Sequence, residues 1–346
     1  MVADATHSSN ELSTVDQLAN LIGCPLETIE GYDIAALNLR CAQGLPGADD
    51  LDEGRLLAWL DQAARAVHLE TRRHWYRFTD APSLYNTSFG YFCCHFLLQT
   101  LQEDFGVRYN PARIRDPKFQ DPNCCDPDFR DSRDLFIHGI IDGPGGTCTS
   151  MPVLYVAVGR RLGYPLKLVE TRGHRFVRWD DPEGKCFGLP ETFNVEGAGE
   201  GIASCDDEHY KNWPEPWTEI DAAEGWYLKS MTPREELASF LATRGECLWD
   251  NGRLAEALQA YEWASAMAPR DRRYQQLLAR SHHEHLVERE HEIALLMERN
   301  QRNRERQHVP LPALRVCEKM GTRSGSPSKT RGIFPANRTI IVPGKR

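Results

Sequence analysis

Between Met151 and Pro165 the chain can be little other than a short helix with one buried face. Met151, Leu154, Tyr155, Val158 and Leu162 recur at the i, i+3, i+4, i+7 spacing of such a helix. Pro152 is tolerated only in a first turn, where its missing N–H costs nothing, and Gly163 with Pro165 closes the far end. Leu166-Lys167-Leu168-Val169 then reads as a buried strand, Arg172-Gly173 as a turn, and His174 to Trp179 as a second strand. A third extended stretch, Phe193-Asn194-Val195-Glu196-Gly197, is expected after the Asp181-Pro182-Glu183-Gly184 turn and Pro190.

This order predicts where reactive groups gather. Cys148, in Gly145-Gly146-Thr147-Cys148-Thr149-Ser150-Met151-Pro152, is placed at or within one residue of the helix start. There unpaired N–H groups and the positive end of the helix dipole favour a thiolate, as does a neighbouring imidazolium. The same N–H groups are expected to hold an oxyanion. On the second strand His174, Phe176 and Arg178 share one face, and Arg175, Val177 and Trp179 the other. Asn194 and Glu196 also share a face, and either is a candidate to orient the imidazole as third member of a nucleophile, base and orienter set.

The run Gly-Gly-Thr-Cys-Thr-Ser-Met-Pro, Gly-Arg-Arg-Leu-Gly-Tyr-Pro and Gly-His-Arg-Phe-Val-Arg-Trp, between Gly145 and Trp179, resembles the transglutaminase-like superfamily, and within it the SirB-type bacterial branch. Asn38 to Gly47 and Asp104 to Asn110 are similar to that branch's helical N-terminal portion, so the resemblance covers roughly residues 30 to 285. It implies an α+β fold: a papain-like core, helix on antiparallel sheet, flanked by N-terminal helices and a C-terminal tetratricopeptide-like segment. It also implies Cys148 as nucleophile and His174 as base. The family's aspartate commonly stands in an Asp-Ala-Thr or Asp-Pro-Phe context, whereas here Val195-Glu196-Gly197-Ala198 occupies that place. Many SirB-type relatives lack the cysteine, and this chain retains it. The implied activity is a cysteine acyltransferase or hydrolase on amide bonds of a protein or peptide. The rival is a non-catalytic scaffold gripping peptides in the cleft or a protein partner on the repeat helices.

The expected division runs 1–110 (helical, packed on the core), 111–232 (the core), 233–298 (repeat-like helices) and 299–346 (a basic, disordered tail). Leu56, Leu57, Leu60, Ala64 and Val67 mark one N-terminal helix, and Phe89, Phe92, Cys93, Phe96, Leu97 and Leu101 another. Pro111 to Arg133 is expected to be a long loop suited to a lid, with His138 close behind it. Later helices are predicted over Glu235–Trp249, Leu254–Ala266 and Tyr274–Met297, the first two forming one tetratricopeptide-like unit too small to stand alone.

No cofactor is expected. Cys93-Cys94-His95 on an apolar helix lacks the spacing of a zinc site, and Cys124-Cys125 with His138 makes a weak alternative. No apolar run approaches membrane-spanning length and Met1 to Asn10 lacks a signal pattern, so a cytoplasmic protein with reduced thiols is expected. Formal charge is −9, yet residues 297–346 hold twelve Lys or Arg against three Asp or Glu. An acidic body with a basic tail argues against nucleic-acid binding.

Overall fold

A computed structural model of the protein describes residues 14–114, 127–197, 199 and 201–307. Its N-terminal part is helical: α1 (Thr14–Ile22), α2 (Leu26–Glu30), α3 (Ile34–Ala42), α4 (Glu53–Arg73), α5 (Trp75–Asp80) and α6 (Phe89–Glu103). Two single turns, α7 (Ser132–Leu135) and α8 (His138–Ile141), lead to α9 (Met151–Arg161). The strands β1 (Leu166–Thr171), β2 (His174–Asp181) and β3 (Glu191–Val195) follow directly. Short helices α10 (Asp207–Asn212) and α11 (Glu219–Glu224) then precede α12 (Pro233–Asp250), α13 (Leu254–Met267) and α14 (Arg272–Gln307).

The helices start where the sequence offers a cap. Asp52 accepts the Arg55 N–H at 3.0 Å ahead of α4, and Ser88 the Tyr91 N–H at 2.9 Å ahead of α6. Thr232 and Glu235 form a capping box at α12, with Pro233 in the first turn. On α4 the buried stripe is Leu56, Leu60, Ala63, Ala64 and Val67; Leu57, expected on it, is only partly buried.

Helices and one small sheet make the architecture α+β. The three strands pair antiparallel in the order β1-β2-β3, with Leu168 opposite Val177 and Val177 opposite Val195. Helix α9 packs on β1 and β2, and on its other sides meets α3, α4 and α6. Leu154, Val158, Leu166, Leu168, Val177 and Trp179 are buried in the resulting core. The opposite face of β2 carries a smaller cluster, Val169, Phe176 and Tyr210, with Phe176 stacked on Tyr210 at 3.9 Å.

Helix α12 packs on α13 and against α2 and α3. The buried Arg244 guanidinium donates to the Cys41 and Gln43 carbonyls at 2.9 and 2.7 Å, completing the end of α3. The described residues up to Glu292 belong to one compact unit and those from Ile293 to a second. Helix α14 runs ten residues beyond the predicted Met297, so 299–307, expected in the tail, are helical. The remainder of that tail and Cys124-Cys125 lie outside the described residues, as does much of the expected lid.

Gly245 tests the α12–α13 contact. A Cβ there would lie 2.5 Å from the Tyr261 ring. Helix propensity favours Gly245→Ala by about 1 kcal/mol, but overpacking costs about 1–3 kcal/mol. Urea unfolding is expected to show net destabilisation; a net gain would mean that the helices separate freely.

Candidate active site

The Cys148 turn is fixed by a distant segment. The Asn110 N–H donates to the Gly146 carbonyl at 2.8 Å and the Gly146 N–H to the Arg108 carbonyl at 2.9 Å, a parallel bridge that lays 108–110 against the cysteine loop. Gly145 allows this approach: its φ is +130°, and a Cβ would lie 2.7 Å from the Arg108 carbonyl oxygen. The Thr147 hydroxyl donates to the Asp134 carbonyl at 2.6 Å.

Regular helix begins at Met151, three residues after Cys148, which the sequence placed at or within one residue of that start. The Met151 N–H nevertheless donates to the Thr147 carbonyl at 2.9 Å, so Cys148 lies in the turn entering α9. Its own N–H donates to the Tyr109 hydroxyl at 3.2 Å, and the Thr149 N–H to Thr147 Oγ1 at 3.2 Å. The donors expected to hold an oxyanion are thus engaged. An incoming carbonyl must compete with the Tyr109 hydroxyl for the first of them.

His174 opens β2 and its side chain is almost wholly enclosed. Trp213 meets it edge-on at 4.7 Å, and the Tyr210 ring lies parallel to it at 6.2 Å. Its Nε2 lies 2.6 Å from Glu196 Oε2. A carboxylate only accepts, so Nε2 carries the proton. The Cys148 thiol lines the same cleft and acts on the charge of the ring. Burial opposes charge on this imidazole, but the Glu196 carboxylate and Cys148 outweigh it and raise its pKa to about 9.

Strand register explains which candidate reaches the ring. Asn194 stands opposite Arg178 and Val195 opposite Val177. Continuing the ladder puts Glu196 opposite Phe176, on the face shared with His174 and diagonal to it. The Glu196 carboxylate also accepts from the Gly197 N–H at 3.1 Å and the Tyr210 hydroxyl at 3.4 Å. Asn194 is taken up elsewhere: its Oδ1 accepts from Arg178 Nε at 2.8 Å, and its Nδ2 donates to the Cys205 carbonyl and to Asp207 at 3.0 and 2.8 Å. Of the four residues singled out in the sequence, Cys148, His174 and Glu196 come together and Asn194 does not.

Arg175, next along β2, points the other way. Its Nη1 donates to the Thr149 carbonyl at 2.8 Å, its Nη2 to Glu170 at 2.8 Å and to the Ser239 hydroxyl. One guanidinium therefore ties the Cys148 turn, β1 and α12 to β2. Arg273 Nη1 bonds the other Glu170 oxygen at 3.1 Å. Although burial opposes ionisation, Arg175 and Arg273 hold the Glu170 carboxyl down to about 2. Cys148, His174, Glu170 and Arg175 line one cleft of about 260 Å³ between the sheet, α12 and the start of α14.

Sequence reasoning singles out none of Tyr109, Arg175, Tyr210 and Trp213 for a role in the site. For Arg175 the adjacency to His174 on a two-residue period was the one available signal; the others depend on contacts far apart in the chain. His138 is buried off the cleft, its Nε2 3.2 Å from the Ser132 hydroxyl and 3.3 Å from the Gly47 carbonyl oxygen. Cys93 and Cys94 are buried on α6, and His95 packs between Tyr85 and Phe96. Among the described residues no group of three His, Cys, Asp or Glu is arranged for a metal ion, and no helix is long and apolar enough to cross a membrane.

No protein-family model, curated protein or solved structure matches the chain.

The raised His174 pKa makes stability depend on pH. A base protonated more readily folded than unfolded contributes stability fully present below its unfolded value near 6.5 and lost as pH rises through about 9. The shift corresponds to roughly 3 kcal/mol. Urea unfolding of wild type and His174→Gln at pH 6 and pH 10 is expected to show the wild-type advantage shrinking by most of that amount. An advantage independent of pH would mean an uncharged ring.

Proposed function

We propose that the protein is a transglutaminase-like cysteine acyltransferase or hydrolase acting on amide bonds of a protein or peptide. The observation that carries this reading is the 2.6 Å bond between Glu196 and His174, with His174 and Cys148 lining one cleft. The chain order is that of a papain-like core: cysteine before a helix, histidine on the following sheet, acid just after the next strand. Glu196 takes the acid's role, its extra methylene spanning the diagonal to His174. The α12–α13 pair, with Gly245 against Tyr261, reads as the tetratricopeptide-like unit of the SirB-type branch.

With Nε2 held by Glu196, Nδ1 is the nitrogen left for the thiol. Proton transfer from Cys148 to His174 gives a thiolate and imidazolium pair. The sulfur attacks the amide carbonyl carbon, forming a C–S bond, and the oxyanion takes the Cys148 N–H from the Tyr109 hydroxyl. Collapse breaks the C–N bond as His174 protonates the departing amine or ammonia. Water or a primary amine, deprotonated by His174, then attacks the thioester and releases the thiolate. Trp213 and Tyr210 keep the imidazole dry and correctly turned.

One observation favours a second reading. Tyr109 already occupies the N–H that an oxyanion needs, which suits a cleft that binds peptide without reacting.

Iodoacetamide labelling with peptide mapping separates the two. Burial pushes the Cys41, Cys93 and Cys247 thiols up to about 12 and raises Cys94 well above the usual thiol value, and Cys186 and Cys205 are raised as well. Cys148 is expected to label first at pH 7.5. Glu196→Gln should slow it about 100-fold, and Asn194→Ala should leave it near wild type. Cys148→Ala should abolish turnover of amide substrates. Cys148 labelling no faster than the other accessible thiols would reject the catalytic reading.

A further inference from the structure

Cavity space does not end at the cysteine and histidine. A second cavity, of about 210 Å³, shares Phe129, Glu246 and Leu277 with the catalytic cleft and continues between α12, α13 and α14. Its walls are largely aromatic and aliphatic, including Trp249 and Tyr261. Where the two spaces join stands Glu246, deep in the molecule yet partly open to the cleft. It makes no hydrogen bond or ion pair among the described residues.

The charges around it do not balance it. From the sheet, Glu170 and Arg175 face it, and Arg175 is spent on Glu170, Ser239 and the Thr149 carbonyl. From α14, Arg273 is spent on Glu170 and Asp271. Arg280 bonds Glu284 at 3.2 Å and lies 5.3 Å over the Trp249 ring. From α13 comes the neutral Tyr261, and on α12 itself Asp250, one turn on, adds a second negative charge. Burial, then Asp250 and Glu170, pushes the Glu246 carboxyl up to about 7. An enclosed carboxyl without a partner costs stability. A cation delivered from outside would remove that cost.

We propose that this groove is a specificity subsite for a lysine or arginine side chain carried by the substrate polypeptide beside its reacting amide. The aliphatic stem lies along Phe129 and Leu277, and the cationic head meets Glu246 with Asp250 behind it. This rests on the amide-directed reading of Cys148 and His174 and adds the substrate class to it: basic polypeptides. The basic side chain is a recognition element, separate from any amine that resolves a thioester.

The test is binding, so that it does not need turnover. Hexapeptide amides with one glutamine, and a lysine or norleucine one to three residues to either side, are titrated calorimetrically into Cys148→Ala at pH 8.5. The best lysine peptide is expected to bind about tenfold tighter than its norleucine twin, the value of one charge-assisted hydrogen bond. The difference should vanish in Glu246→Gln/Cys148→Ala, whose melting temperature at this pH should be no lower than that of Cys148→Ala, a check that the fold is kept. Equal binding of both peptides at every position, or a lysine preference that survives Glu246→Gln, overturns the inference. A lysine preference without fast Cys148 labelling would retain the subsite and reject the chemistry; fast labelling without the preference would do the reverse.

Discussion

The guanidinium of Arg175 is the tie on which the arrangement depends. It reaches the Thr149 carbonyl, Glu170 on β1 and Ser239 on α12 from a single position on β2. Its neighbour His174 points from the other face of the same strand. Consecutive residues thus divide two tasks, one fixing the strand against the cysteine turn and the next presenting the imidazole. Both charges of the Arg175–Glu170 pair are largely enclosed, so removing Glu170 would leave Arg175 without its counter-charge at a cost of about 3–5 kcal/mol. Arg273 shares Glu170 and brings the start of α14 into the same network. The C-terminal helices are therefore part of the cleft wall and not an appendage.

Strand register does the rest. A two-residue period leaves Asn194 and Glu196 equivalent as candidates, and only the pairing of β3 with β2 distinguishes them. With Asn194 opposite Arg178, its amide satisfies the buried guanidinium; Glu196, two residues on, lies diagonal to His174. The carboxylate is then steadied by the Gly197 N–H and the Tyr210 hydroxyl. Gly197 leaves no room for change, since a Cβ there would lie 2.7 Å from the Tyr155 ring and 2.8 Å from Leu98. The acid is held by packing on α9 as much as by hydrogen bonds.

Local patterns carried much of this from the sequence. The stripe from Met151, the Arg172-Gly173 turn and the apolar alternation of 166–179 were sufficient for α9, β1 and β2, because each is set by near neighbours. Cys148 stands farther from the start of α9 than the sequence implies because the Thr147 carbonyl captures the N–H groups of Ser150 and Met151, a turn that side-chain periodicity does not register. The occupied Cys148 N–H was illegible for another reason: Tyr109 arrives through a bridge 37 residues away at Gly146. Arg175 and Glu246 gained their meaning only from α12 and α14, whose packing against the sheet no local pattern records. Leu57 on α4 shows the opposite limit, where the period marks a residue for burial and the packing of neighbouring helices leaves it partly exposed.

Glu196 and Cys148 together give His174 a positive charge beyond neutral pH, and the proposed chemistry stands on that charge. Nitrogen-15 NMR of the His174 ring, titrated from pH 5 to 10.5, measures it directly. An imidazolium is expected through pH 8 with a midpoint near 9, moving down in Glu196→Gln. A ring already neutral at pH 7 in the wild-type protein would contradict it.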